Sequence, residues 1–118
     1  MTIHPTAIID STVELAPDVR IGPYCILGPH SRIAAGTVLD SHVCVGGWTS
    51  IGEECRVYNH VSIGTDPQDL KYHGETTYLR IGNRNVLREF VTFNRGSLGD
   101  GSETTVGSDN LFMAYSHV

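Results

Sequence analysis

The densest group of chemistry-bearing side chains is Gln68, Asp69 and Lys71, an amide, a carboxylate and an ammonium within four residues. They lie in a polar stretch running from Thr65 to Thr77. Such a stretch can offer hydrogen-bond acceptors and a cation to a ligand, or can be a solvated loop whose charges do nothing. His42 and His60 form a second group, eighteen residues apart. Imidazoles are common zinc ligands, but no third ligand accompanies these two, so packing or hydrogen bonding is the favoured reading. Cys25, Cys44 and Cys55 show no metal-type spacing. Arg80, Arg84 and Arg88 are four apart, which would give them a common face only on a helix.

The elements that must position these groups follow a period of six. Every sixth residue from Ile3 to Ile63 is Ile, Leu or Val. The residues four places after the first ten of them (Ala7, Val13, Val19, Cys25, Ser31, Thr37, Val43, Thr49, Cys55 and Val61) are all small or β-branched. Neither a helix, with period 3.6, nor a plain strand, with period 2, repeats in this way. The pattern predicts an all-β fold, a parallel β-helix of hexapeptide repeats shaped as a triangular prism. Each hexad supplies a short strand and a turn, three hexads make a coil of eighteen residues, and the aliphatic residue points inward. Residues eighteen apart then stack at about 4.8 Å, His42 on His60 among them, and the stack buries a core that no single coil could bury. Gly22, Gly28, Gly46, Gly52 and Gly64 each follow an aliphatic residue, where the backbone bends sharply or is approached closely. Parallel crossovers are nearly always right-handed, yet repeats of this pattern resemble the known left-handed exceptions.

The outward positions differ from side to side. One side carries Ile8, Ile26, Cys44 and Ser62 in a column beside Thr6, Tyr24, His42 and His60. Another carries Asp18, Arg20, Glu53, Glu54 and Arg56. The apolar, aromatic side reads as a contact surface and the charged one as solvent-facing, which predicts a homo-oligomer, with a trimer as the natural closed form for a triangular prism. At 118 residues and 40% hydrophobic content the chain is at most one ordinary soluble domain. A net charge of −5 argues against non-specific nucleic-acid binding. No apolar run is long enough for membrane insertion, and the start Met1-Thr2-Ile3-His4-Pro5 enters the repeat without a signal peptide. The expected location is cytoplasmic, with Cys25 and Cys55, at the small interior position, as packing thiols.

The repeat breaks after Ile63-Gly64 and resumes at Ile81-Gly82 through Leu87 and Phe93. It breaks again from Gly96 to Ser102, then restarts at Val106-Gly107, Phe112 and Val118. Loops near 65–80 and 96–105 are therefore expected to leave the prism, and solenoids commonly place such insertions over the binding face. Three stretches carry a more specific signal. Gln68-Asp69-Leu70-Lys71-Tyr72 with Gly74-Glu75 resembles the signature loop of the UDP-N-acetylglucosamine O-acyltransferases, the first enzymes of lipid A synthesis. The run from Ile81 to Thr92 with Arg95-Gly96 resembles the family's coil before its second loop, and the run from Val106 to Val118 resembles the coil entering its active site. The likeness spans the whole chain in register.

The resemblance implies transfer of a 3-hydroxyacyl group from acyl carrier protein to the glucosamine 3-hydroxyl of UDP-N-acetylglucosamine. It implies a homotrimer with active sites between subunits, and neither cofactor nor metal. The family's general base, a histidine, would follow His117 by three residues, two beyond Val118, so no catalytic residue is assigned within the chain, which is expected to be inactive alone. Further coils and a C-terminal helical domain are also expected beyond it. By the same resemblance, Lys71 is a cation near the substrate, and Asp69 and Gln68 bind and orient sugar or acyl hydroxyls, unless both merely cap the loop. His117 is a substrate hydrogen-bond donor or a surface histidine, and Met113 lines the acyl-chain groove or packs in the core. Asn94 stands where many relatives have histidine. An amide donates and accepts but carries no proton, which removes an acid–base role there. Arg95 beside it pairs with phosphate or forms a surface salt bridge. No residue is assigned to carrier docking.

Three rival functions weigh against this one. The related N-acyltransferase of the same pathway has an extra N-terminal domain for which a repeat beginning at residue 3 leaves no room. A hexapeptide-fold zinc carbonic anhydrase would need more than the two histidines. A purely structural or oligomerisation module accounts for Ile3 to Ile63 but offers no reason for the Gln68 to Tyr72 loop.

Overall fold

The computed structural model describes residues 1–65, 76–96 and 103–118. Short parallel strands form three walls of a prism whose coils wind left-handed. The first wall is built from Thr2–Ile3, Arg20–Ile21, Val38–Leu39, Arg56–Val57, Val86–Leu87 and Leu111–Phe112. The second is built from Ile8–Ile9, Ile26–Leu27, Cys44–Val45, Ser62–Thr65 and Thr92–Asn94. The third contains Glu14–Leu15, Arg32–Ile33, Thr49–Ile51, Tyr78–Ile81 and Glu103–Val106. The inward aliphatics stack in the expected register, with Ile3 on Ile21, Ile21 on Leu39 and Leu39 on Val57. From Ile21 upward they are buried, as are Val19, Val43, Val61 and the thiols of Cys25 and Cys55. Burial pushes both thiols above their ordinary pKa, so they behave as packing groups.

The corners show where a simple reading of the glycines falls short. From Ile21 to Val57 the left-handed backbone conformation sits three residues after each inward aliphatic, at Tyr24, His30, Gly36, His42, Trp48, Glu54 and His60, with φ between 53° and 75°. Six of these seven are not glycine, and each accepts a conformation that costs an L-residue roughly 1 kcal/mol because the coils above and below hold it there. Among the glycines directly after the aliphatics, Gly64 also has a positive φ of 74°, whereas Gly22, Gly28, Gly46 and Gly52 serve close approach: a Cβ on Gly46 would lie 2.0 Å from the Gly64 carbonyl oxygen.

Above Ile63 the coils lengthen. Val57 pairs with Leu87, Ile63 with Phe93 and Ile51 with Ile81, a register of thirty. Leu87 pairs with Phe112 and Ile81 with Val106, a register of twenty-five. The parallel pairing closes over both breaks of the repeat, and the core above them turns aromatic: buried Phe93 meets Phe112 edge to face at 4.9 Å.

Candidate functional site

On the second wall the outward column reads Ile8, Ile26, Cys44, Ser62, Thr92 and His117. It is apolar in the lower coils and polar at the top. The thirty-residue register puts Thr92 over Ser62, and the twenty-five-residue register puts His117 over Thr92. The Thr92 hydroxyl lies 2.6 Å from Nδ1 of His117. When that hydroxyl donates to Nδ1, the neutral ring carries its own proton on Nε2 and presents a donor to solvent.

Asn94 follows two residues after Thr92, at the point where the pairing slips between Ile63 and Thr65. Thr65, the residue from which the chain leaves the wall, donates its hydroxyl to Oδ1 of Asn94 at 2.6 Å. With the amide oxygen occupied, the Nδ2 donors of Asn94 remain for a ligand among the described residues. Arg95 reaches back to the coil beneath it. Its Nη1 donates to the carbonyls of Gly47 and Gly64, both at 3.3 Å, and its backbone N–H donates to Thr65 at 2.9 Å. Arg95 therefore ties the base of the first excursion to the coil beneath it.

Of the residues singled out by sequence, Asn94 and His117 are brought onto one edge of the second wall, beside the departure of the first excursion. Met113 follows inward-facing Phe112, is 66% exposed, and stands in the outward row above Tyr58 and Arg88, outside the core. Gln68, Asp69 and Lys71 lie outside the described residues. Thr65 and Thr92, which orient Asn94 and His117, were missed. The signal for both was a register of thirty, readable once Ile63 is aligned with Phe93 rather than with Ile81.

The histidines of the apolar side stack as the period requires. His42 and His60 lie 4.8 Å apart and nearly parallel, within a continuous column of rings from Tyr24 through Phe90 to Tyr115. Among the described residues no three His, Cys, Asp or Glu side chains are grouped to hold a metal ion. Tyr24, Ile8 and Ile26 are 59%, 66% and 47% exposed, so this corner and the lower second wall form an open apolar strip.

A family model described as bacterial transferase hexapeptide (six repeats) matches residues 1–35. An acyl-[acyl-carrier-protein]–UDP-N-acetylglucosamine O-acyltransferase from Psychrobacter sp. (strain PRwf-1) is 50% identical over 116 residues, which is 98% of this chain and 45% of the relative. The structure of LpxA from Acinetobacter baumannii matches with a TM-score of 0.98 and 50% identity, covering 100% of this chain and 46% of that one. Throughout its length, the chain resembles the N-terminal part of these acyltransferases. A UDP-N-acetylglucosamine O-acyltransferase from Moraxella catarrhalis gives the same TM-score of 0.98 at 52% identity. The acyltransferase likeness includes both lengthened coils, with Asn94 and His117 inside it. The chain spans about 45% of the length of the curated relatives it matches.

Proposed function

We propose that this chain is the N-terminal part of an enzyme that transfers a 3-hydroxyacyl group from acyl carrier protein to the 3-hydroxyl of UDP-N-acetylglucosamine, the opening step of lipid A synthesis. The observation that carries the reading is the whole-chain likeness at about 50% identity, continuous through both lengthened coils rather than confined to the repeat. Because the chain spans under half of those relatives, the activity is proposed for the whole protein, with further coils and a C-terminal helical domain in the remainder.

In the reaction the sugar hydroxyl attacks the thioester carbonyl, a C–O bond forms, the C–S bond breaks, and the carrier thiol leaves while the hydroxyl proton passes to a base. No residue of this chain is assigned that base. Asn94, held by Thr65, offers amide donors, and His117, backed by Thr92, offers Nε2–H. Both suit phosphate, hydroxyl or carbonyl oxygens of the bound substrates. Lys71, Asp69 and Gln68 are assigned to the same substrates, Lys71 as the cation, and exposed Met113 to the acyl chain. The apolar strip around Ile8, Ile26 and the stacked rings supports a homotrimer, in which it would be covered by a second copy. A sugar-nucleotide acceptor supports a cytoplasmic location for the enzyme; among the described residues no helix is long and apolar enough to cross a membrane.

The test is acyl transfer by the whole protein, with 3-hydroxyacyl carrier protein and UDP-N-acetylglucosamine as substrates. Acylated sugar nucleotide should form, and Lys71→Ala and His117→Ala should each lower kcat/KM at least tenfold. Absence of product, with the protein folded and sedimenting as a trimer, would favour the structural-module reading.

A further inference from the structure

On the second wall the residues directly after the inward aliphatics are Gly28, Gly46 and Gly64 in successive coils, and Asn94 after Phe93. In an unbroken register Asn94 would lie over Gly64, which has no side chain to meet its amide. The pairing instead slips: Ile63 faces Phe93, and Thr65, not Gly64, faces Asn94. Gly64 is thus the extra residue of a β-bulge, a device that re-aims the side chain beside it. Its φ is 74°, and a Cβ on it would run into Oγ1 of Thr49, so only glycine fits the bulge.

The backbone around Thr65 and Asn94 is pinned. Arg95 donates its backbone N–H to the Thr65 carbonyl at 2.9 Å and its Nη1 to the Gly64 carbonyl at 3.3 Å. The backbone N–H of Asn94 is held by the Val118 carbonyl at 3.1 Å. Threonine is stiff at χ1, so its hydroxyl reaches Oδ1 of Asn94 at 2.6 Å from a fixed place. The Phe93 carbonyl, at 3.5 Å, is too far away to compete for that proton. Neither N–H of the Asn94 amide has a partner among the described residues. Thr92 stands to His117 as Thr65 stands to Asn94: when its hydroxyl donates to Nδ1, Nε2–H is the donor that remains.

We propose that the Gly64 bulge and Thr65 form a positioning device for acyl transfer, fixing the Asn94 amide so that it offers only donors to the substrate. The partner is then an acceptor-only oxygen, a phosphate or a carbonyl. A sugar hydroxyl both donates and accepts, so it binds either end of an amide and gains nothing from fixing it. Thr65 acts through Asn94 and is a positioning residue. This inference rests on the acyl-transfer reading above.

The test is steady-state kinetics of the whole protein with both substrates varied. Thr65→Val keeps the shape and removes the hydroxyl, and should lower kcat/KM about tenfold while its melting temperature stays close to that of the unmodified protein. Thr65→Ala should behave alike, and Thr65→Ser should restore the rate. Thr65→Val added to Asn94→Ala should cost nothing further, because Thr65 acts only through the amide. Asn94→Asp still accepts from Thr65 but offers no donor, so it should fall below Asn94→Ala. A higher KM for UDP-N-acetylglucosamine would assign the oxygen to the sugar nucleotide, and a lower kcat or a higher KM for the acyl carrier would assign it to the thioester. Unchanged kinetics in Thr65→Val, or losses that add to those of Asn94→Ala, would overturn the positioning role. Asn94→Asp at least as active as Asn94→Ala would overturn the acceptor-only partner. Absence of product from the unmodified protein would overturn the transfer reading itself, and this inference with it.

Discussion

The uninterrupted coils below Ile63 and the lengthened coils above it are built on one plan yet carry different chemistry. Below, every coil is eighteen residues long, the interior is aliphatic, and the outward column of the second wall begins with Ile8 and Ile26. Above, the register stretches to thirty and then twenty-five, Phe93 and Phe112 join aliphatic Leu79, Ile81 and Leu87 in the interior, and the same outward column ends in Thr92 and His117. The walls pass through the change intact because each strand is hydrogen-bonded to the coil beneath it rather than to its chain neighbour. Residues added at a corner therefore cost closure entropy, which grows slowly with length, and leave the ladder in place. A solenoid can thus acquire a polar edge where its period fails without disturbing the period elsewhere.

The sharpest way to break this comparison is through the core. If the upper coils are held by their aromatic interior, Phe93→Ala should destabilise the protein by about 3–5 kcal/mol, while Ile33→Val in the lower coils should cost about 0.5–1.5 kcal/mol. Denaturant unfolding of both proteins would check this, and similar losses would mean that Phe93 is no more critical than an ordinary rung. The next largest effect falls on the junction between the two regions. Arg95→Gln removes the guanidinium bonds to the carbonyls of Gly47 and Gly64 and should cost about 1.5–3 kcal/mol, measured in the same way. A change indistinguishable from that of a surface substitution would show that the excursion holds its base without Arg95.

The two regions also differ in how far the sequence alone reveals them. From Ile3 to Ile63 the inward aliphatics, the stacking of His42 on His60 and the burial of Cys25 and Cys55 follow from counting in sixes, because a repeat forces equivalent residues into equivalent places. Counting does not reveal the left-handed residues at the corners. Tyr24, His42 and Trp48 carry none of the glycine bias that usually marks such positions, since neighbouring coils rather than local preference impose the conformation. Nor does it reveal which strand pairs with which once residues are inserted, so Thr65 and Thr92 passed unnoticed beside Asn94 and His117. Arg95 was legible as a cation near the break, but its carbonyl partners come from Gly47 and Gly64, one of them 48 residues earlier. Contacts of that range have no local signature.

The smallest effect belongs to the corner entering the first wall, where the charged rows of both regions meet solvent. Arg84 donates to Asp109 through Nε at 2.7 Å and through Nη2 at 3.1 Å, and these bonds hold the Asp109 carboxyl below its usual range. A carboxyl lowered in the folded state adds stability above its unfolded pKa and loses it as the pH falls through the folded value. Both side chains are more than half exposed, so water and salt screen the pair. Asp109 also occupies a left-handed corner position with φ of 62°, which asparagine tolerates well. Asp109→Asn therefore removes the charge and leaves the turn in place. Its melting temperature should fall only slightly below that of the unmodified protein at pH 7 and low salt, and the gap should close both towards pH 3 and in 1 M salt. A larger gap that persists at acid pH would show that the corner depends on the carboxylate for its geometry, and the upper coils would then rest on their charged corner as well as on their aromatic interior.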